Sequence, residues 1–206
     1  MKKTIWRPLV LGIIFGLLAG IATATGLTFL TPGVTDNAIG FYVTLFLLAA
    51  ALGGPLAGGI APALMIIISA YFGPPEMIEI ITVPAVFWSN LVSLVITVVL
   101  VSLAYRMIFE RLKMPMRLLA WAGIIIAYYF ISIPASIIPQ YLLLGDPPSE
   151  ILPAVLYGYQ TYVPQAIFDI FFTSLVFIAL PIRYRRPLWY GLQPIPPIAE
   201  EKPVEI

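Results

Sequence analysis

The fold is decided by the stretch from Ile39 to Phe72, which reads IGFYVTLFLLAAALGGPLAGGIAPALMIIISAYF. As one straight helix these 34 residues would extend about 51 Å, whereas the hydrocarbon core of a bilayer is about 30 Å thick. The stretch is interrupted at Gly53-Gly54-Pro55 and again at Gly58-Gly59, where helix propensity is low. We therefore predict two short transmembrane helices, 39–52 and 56–72, joined by a structural turn.

The rest of the chain has the composition of a membrane protein. Of its 206 residues, 61% are hydrophobic and 10% are charged, against roughly 25% charged residues in soluble domains. The other predicted spans are the apolar runs 8–30, 81–105, 118–138 and 162–181. The sequence thus predicts an all-α bundle of six transmembrane helices forming a single domain, 1–191. The proline-rich segment 192–206 is predicted to be a disordered cytoplasmic tail.

The basic residues indicate the orientation of this bundle, because short cytoplasmic loops of membrane proteins collect Lys and Arg. They form three groups: Lys2, Lys3 and Arg7; Arg106, Arg111, Lys113 and Arg117; and Arg183, Arg185, Arg186 and Lys202. Six helices place all three groups on one side, whereas five would place the last two groups outside. We therefore expect a multi-pass protein of the cell membrane with both termini in the cytoplasm.

Several kinds of chemistry are excluded by composition. Cysteine and histidine are both absent, which excludes disulfides, thiolate chemistry and imidazole metal sites. A metal site built from carboxylates alone stays open. The sequence has no phosphate-binding loop, and its basic clusters are explained by topology. We expect no enzymatic activity, no cofactor, no bound metal and no nucleic-acid partner.

Small residues recur on the first helix at Gly12, Gly16, Gly20 and Ala24, with strict four-residue spacing. Such a stripe lets another helix approach closely. Two interpretations stay open: packing within the chain, or a docking face for another subunit. The same segment also has the features of a secretory signal peptide, with Ala22-Thr23-Ala24 as its cleavage site, so removal of the first helix is a further alternative.

Asp169 is the clear ionisable residue inside a predicted span, about 10 Å below the outer surface. It is either a solute contact or a carboxylate that accepts hydrogen bonds from neighbouring helices. The other candidate ligand-binding residues are Trp88, Asn90, Tyr128, Tyr129, Tyr159, Tyr162 and Gln165. Interfacial aromatic belts would also account for the tyrosines. Together these residues suit a small heterocycle or organic cation, beneath a long external segment, 140–161.

Two further stretches carry a resemblance: Asp36-Asn37-Ala38-Ile39-Gly40, and Leu52-Gly53-Gly54-Pro55-Leu56-Ala57-Gly58-Gly59. The chain resembles the substrate-binding (S) components of energy-coupling factor (ECF) transporters, and the related membrane input domain of LytS-type sensor kinases. The first resemblance implies capture of a vitamin or other micronutrient and docking, through the small-residue stripe, on a coupling subunit that carries ATPases. The second implies a stand-alone sensor subunit. A structural subunit of a larger membrane complex is a third hypothesis.

Overall fold

The computed structural model describes residues 3–25, 28–30, 38–73 and 83–180. Its elements are α1 (Lys3–Ala24), β1 (Thr28–Leu30), β2 (Ala38–Gly40), α2 (Phe41–Phe72), α3 (Pro84–Arg111), α4 (Met114–Leu144) and α5 (Pro148–Ala179). The two short strands form an antiparallel hairpin between α1 and α2. Within these ranges five helices are long and apolar enough to cross a membrane. The chain is therefore an all-helical, multi-pass membrane protein.

Helix α2 is broken at Gly54, within the turn predicted from the sequence. Gly54 has φ 75° and ψ −166°, a conformation essentially restricted to glycine. A Cβ atom added at Gly58 would lie 3.2 Å from the Cβ atom of Ala50, although eight residues extend about 12 Å along a straight helix. The two halves of α2, 41–53 and 55–72, therefore fold back against each other.

The small-residue stripe of α1 packs against the second half of α2. Added Cβ atoms at Gly12 and Gly16 would lie 3.0 Å from the Cα atoms of Ala57 and Ala61, and one at Gly20 would lie 2.6 Å from the side chain of Ile68. Because these glycines are already covered by α2, the structure favours packing within the chain over a docking face for another subunit. Of the two interpretations, packing within the chain describes them; Ala24, at the end of the stripe, is half-buried.

The external segment 140–161 is helical except at 145–147. Helix α4 continues to Leu144 and ends at Gly145 in the left-handed conformation, with φ 77°. Helix α5 begins at Pro148, where proline suits the first turn because no intrahelical donor is needed there. The last predicted helix thus starts before 162. Two other predicted helices differ less from the structure. The predicted helix 8–30 ends at Ala24, and residues 28–30 form β1 instead. The predicted helix 81–105 corresponds to α3.

Successive helices pack side by side, and the first half of α2 closes the arrangement against α5. Helix α2 supplies half of the buried hydrophobic core, including Phe46 and Leu47. At the turn between α3 and α4, the Arg117 guanidinium donates hydrogen bonds to the carbonyl oxygens of Phe109 and Leu112, at 3.1 and 2.7 Å. These bonds satisfy the end of α3, since the last carbonyls of a helix lack partners of their own. The predicted tail, 192–206, lies outside the described residues.

Candidate functional site

Asp169 lies at the centre of a buried hydrogen-bond network between α2, α4 and α5. Its side chain is 0% exposed. The Thr44 hydroxyl and the Gln165 amide both donate to Oδ1, the latter at 3.0 Å. The Tyr129 hydroxyl donates to Oδ2 at 2.5 Å. One carboxylate therefore joins three helices. This arrangement fits one of the two roles predicted from the sequence, a carboxylate that accepts hydrogen bonds from neighbouring helices.

The network continues in both directions along α5. The Gln165 side chain forms two hydrogen bonds with Gly40: it accepts from the backbone N–H at 2.7 Å and donates to the carbonyl at 2.9 Å. One turn beyond Asp169, the Thr173 hydroxyl accepts a hydrogen bond from the Trp121 indole at 2.8 Å. Gln165, Asp169 and Thr173 are four residues apart and so share one face of α5. This polar face ties α5 to β2, α2 and α4.

The charge of Asp169 is not balanced by these contacts. In the part of the chain that the structure describes, the three side chains that hydrogen-bond to its carboxylate are neutral. A buried ionised carboxylate normally needs an opposite charge, because hydrogen bonds to neutral groups offset only part of its desolvation. Among the described residues no three acidic side chains gather to hold a metal ion. The site therefore favours a proton or a single positively charged group nearby.

A cavity of about 100 Å³ adjoins this network, and Tyr129 borders both. The cavity is lined by Tyr42, Val43, Phe46, Asn90, Leu94, Tyr128, Tyr129, Ser132, Ile133, Ser136 and Tyr162. Four tyrosines, two serines and an amide are an unusually polar lining for the interior of a membrane helix bundle. Such a lining can hold a small solute group through aromatic faces and hydroxyls.

A larger groove lies next to the turn between α4 and α5. It has a volume of about 780 Å³ and is lined by Ile137, Gln140, Tyr141, Glu150, Pro153, Ala154, Tyr157, Gly158, Thr161 and Tyr162. Tyr162 lines both the groove and the cavity. Its side chain is 38% exposed, and its ring lies 5.9 Å from the ring of Tyr129. Tyr162 is therefore a wall of both the groove and the cavity.

The structure brings together six of the eight predicted ligand-binding residues. Asn90, Tyr128, Tyr129 and Tyr162 line the cavity, and Asp169 and Gln165 lie behind it, in the network. The prediction that these residues share one region of the bundle is consistent with this arrangement.

Trp88 and Tyr159, the other two predicted residues, do not line the cavity. Trp88 is 58% exposed, since two positions along a helix are about 200° apart and Asn90 already faces the cavity. The Tyr159 ring stacks on Phe130 at 5.0 Å, and its hydroxyl donates to the Phe130 carbonyl at 3.0 Å. Both side chains therefore lie on other faces of their helices.

Sequence reasoning missed several residues of the site. These are Tyr42 and Phe46 on α2, Ser132 and Ser136 on α4, and the network residues Thr44, Trp121 and Thr173. Helical spacing was the available signal for part of this set, because Ser132 follows Tyr128 by four residues and Thr173 follows Asp169 by four. The contributions of α2 carry no such signal, since they depend on which face of α2 meets α5.

Fold and site together define the class of protein: a multi-pass helical membrane protein with a buried carboxylate beside a cavity lined by tyrosines. Searches against protein-family models, curated proteins and solved structures found no match to the chain.

Proposed function

We propose that the chain is a membrane-embedded solute-binding subunit of an uptake system in the cell membrane. The observation that carries this proposal is the cavity beside Asp169, which shares one lining residue, Tyr162, with a groove at the surface. A polar cavity reached from one end of a helix bundle fits a protein that captures a small solute.

The proposal includes six membrane crossings, with α2 supplying two of them. Successive positions on α1, from Gly12 to Gly20, lie against successive positions on α2, from Ala57 to Ile68. The second half of α2 therefore runs parallel to α1. Two parallel transmembrane helices require a crossing between them in the opposite direction, and residues 41–53 are the segment available for it. This segment has 13 residues, which is short for a membrane crossing. It lies in the core of the bundle, where other helices surround it in place of lipid.

The proposed orientation places both termini in the cytoplasm and the groove on the outer side. Arg111, Lys113 and Arg117 lie at the turn between α3 and α4, which the positive-inside rule assigns to the cytoplasm. Asp146 and Glu150 lie at the opposite turn, between α4 and α5. The groove beside that turn would then face the source of nutrients, as uptake requires.

Solute would enter the groove first and reach the cavity past Tyr162. The cavity alone, at about 100 Å³, is smaller than the roughly 300–1,000 Å³ of ordinary ligand pockets. The groove supplies the remaining volume. A solute would therefore place one small group in the cavity and its body in the groove, with Tyr162 between them.

Transport would be driven by partner subunits. The sequence has no phosphate-binding loop, so energy in this proposal comes from ATPases attached through a transmembrane coupling subunit, as the resemblance to S components implies. The glycine stripe of α1 is occupied by α2. The coupling subunit would contact another part of the surface.

Native mass spectrometry of protein purified gently from its own membranes tests the proposal, because it records bound small molecules and co-purifying subunits together. We expect a retained small solute. Replacing Asn90, which lines the cavity, by Leu should abolish retention by filling the space with an apolar side chain. Replacing Trp88 by Leu, on the opposite face of α3, is the matched control and should leave it unchanged.

A structural subunit is the second candidate, because among the described residues side chains of α2, α4 and α5 hydrogen-bond to the buried Asp169 carboxylate and so hold three helices together. An empty protein held in fixed stoichiometry within a larger assembly would favour that role. Equal retention of solute by the Asn90 and Trp88 variants would show that the solute binds elsewhere.

A further inference from the structure

Five aromatic rings follow one another around the cavity. Their centroids are 6.5 Å apart for Tyr42 and Phe46, 6.2 Å for Phe46 and Tyr128, 5.0 Å for Tyr128 and Tyr129, and 5.9 Å for Tyr129 and Tyr162. All five residues line the same space. The face of an aromatic ring attracts a cation within about 6 Å, and groups of such rings recognise methylated ammonium ions.

A buried carboxylate adjoins this group of rings. The Asp169 carboxylate accepts a hydrogen bond from the hydroxyl of Tyr129, one of the five. Among the described residues, its hydrogen-bond partners are neutral. Because the surroundings are buried and weakly polarisable, the field of this carboxylate extends into the cavity with little screening.

The lining also favours an organic cation over a bare metal ion. Hard metal ions require several oxygen ligands, and Ca²⁺ takes six to eight. The cavity lining instead combines aromatic and aliphatic side chains with the neutral oxygens of Ser132, Ser136, Asn90 and four tyrosine hydroxyls, and it includes no carboxylate. Methyl groups on an ammonium nitrogen can pack against such rings while the charge remains attracted to their faces.

We infer that the cavity binds the alkylated ammonium group of a small organic cation, whose body lies in the adjoining groove. This inference rests on the proposed function and narrows it to one solute class. It assigns Tyr128 and Phe46 as ring contacts and Asp169 as the charge that selects a cation over a neutral molecule. Glu150, at the groove, adds a second negative charge on the path.

Calorimetric titration of the full chain in lipid nanodiscs tests the inference with two probes of one shape. Choline carries a trimethylammonium group, and 3,3-dimethylbutan-1-ol is its neutral isostere. We expect choline to bind at least about tenfold more tightly than the alcohol. Replacing Asp169 by Asn should remove most of that preference by weakening choline alone, which a purely structural role of Asp169 would not do.

Ring variants separate the cavity from the rest of the surface. Tyr128→Leu should weaken choline binding about tenfold, whereas Tyr128→Phe, which keeps the ring, should change it less than about threefold. Tyr159→Leu is the matched control, because Tyr159 stacks on Phe130 away from the cavity. Should Tyr128→Leu fail to fold, the Phe variant and the two probes on the unmodified chain still decide the matter.

Equal binding of choline and the alcohol would overturn the cation assignment and leave the solute-binding function standing. Absence of binding by both probes would also overturn it. The solute-binding function would then be judged by the retained molecule in native mass spectrometry, which does not depend on either probe.

Discussion

Gly16 offers a direct test of how α1 is held in the bundle. A methyl group added there would lie 2.9 Å from the Leu64 Cβ atom and 3.0 Å from the Ala61 Cα atom. Carbon atoms in ordinary contact are about 3.5–4.0 Å apart. Since Ala61 Cα belongs to the backbone and cannot rotate away, Gly16→Ala must push α1 from α2 by roughly 0.6 Å.

The expected loss of stability follows from that displacement. A gap of 0.5–1 Å forfeits about a quarter to a half of each dispersion contact, and overpacking a close interface costs about 1–3 kcal/mol. Alanine recovers about 0.5–1 kcal/mol through its higher helix propensity. Gly123→Ala is the matched control, because nothing lies within 4 Å of the added Cβ atom. We expect Gly16→Ala to be less stable than Gly123→Ala by about 1–3 kcal/mol.

Reversible unfolding in mixed micelles, followed by the helical circular dichroism signal, measures this difference on the isolated chain. Equal stabilities for the two variants would refute the reasoning. Such a result, combined with loss of co-purifying subunits in Gly16→Ala alone, would restore the docking interpretation of the glycine stripe.

Two further predictions concern the polar network. Thr44→Val removes a donor to the buried carboxylate at nearly constant shape, and we expect the free energy of unfolding to fall by about 1–3 kcal/mol. Thr97→Val is the control and should cost clearly less, because the Thr97 hydroxyl bonds carbonyls of its own helix. Equal costs would contradict the role of Thr44 in holding the carboxylate. Gln165→Leu removes both side-chain bonds to Gly40, so exchange of the Gly40 amide hydrogen should accelerate by about tenfold or more in mass-spectrometric measurements, and unchanged exchange would contradict it.

Hydropathy predicted the helices well where a bilayer imposes a continuous apolar run. The break in α2 was also predictable from Gly53-Gly54-Pro55. Glycine tolerates the positive φ angle found at Gly54, and Pro55 has no backbone N–H with which to continue the helical hydrogen bonds. The start of α5 was not. Residues 148–161 include Glu150 and Gln160, and hydropathy gives no signal for a helix that lies partly outside hydrocarbon.

The site was predictable only along single helices. The polar face formed by Gln165, Asp169 and Thr173 follows from four-residue spacing. Its partners do not, because Thr44 and Tyr129 meet Asp169 only after α2 and α4 adopt particular rotations and crossing angles. Trp88 shows the opposite error: its depth suited a pocket, but its face of α3 did not.

The structural role of Asp169 and its proposed role in binding are compatible because they use different properties of the carboxylate. Its hydrogen bonds to Thr44, Gln165 and Tyr129 orient three helices and use its lone pairs. None of these neutral donors carries a compensating charge, so the field proposed to attract a cation would extend across Tyr129 into the cavity. Loss of Thr44 should therefore act mainly on stability, whereas Asp169→Asn should act on cation selectivity as well. Similar effects of both changes on stability and on choline binding would show that the carboxylate serves the fold alone.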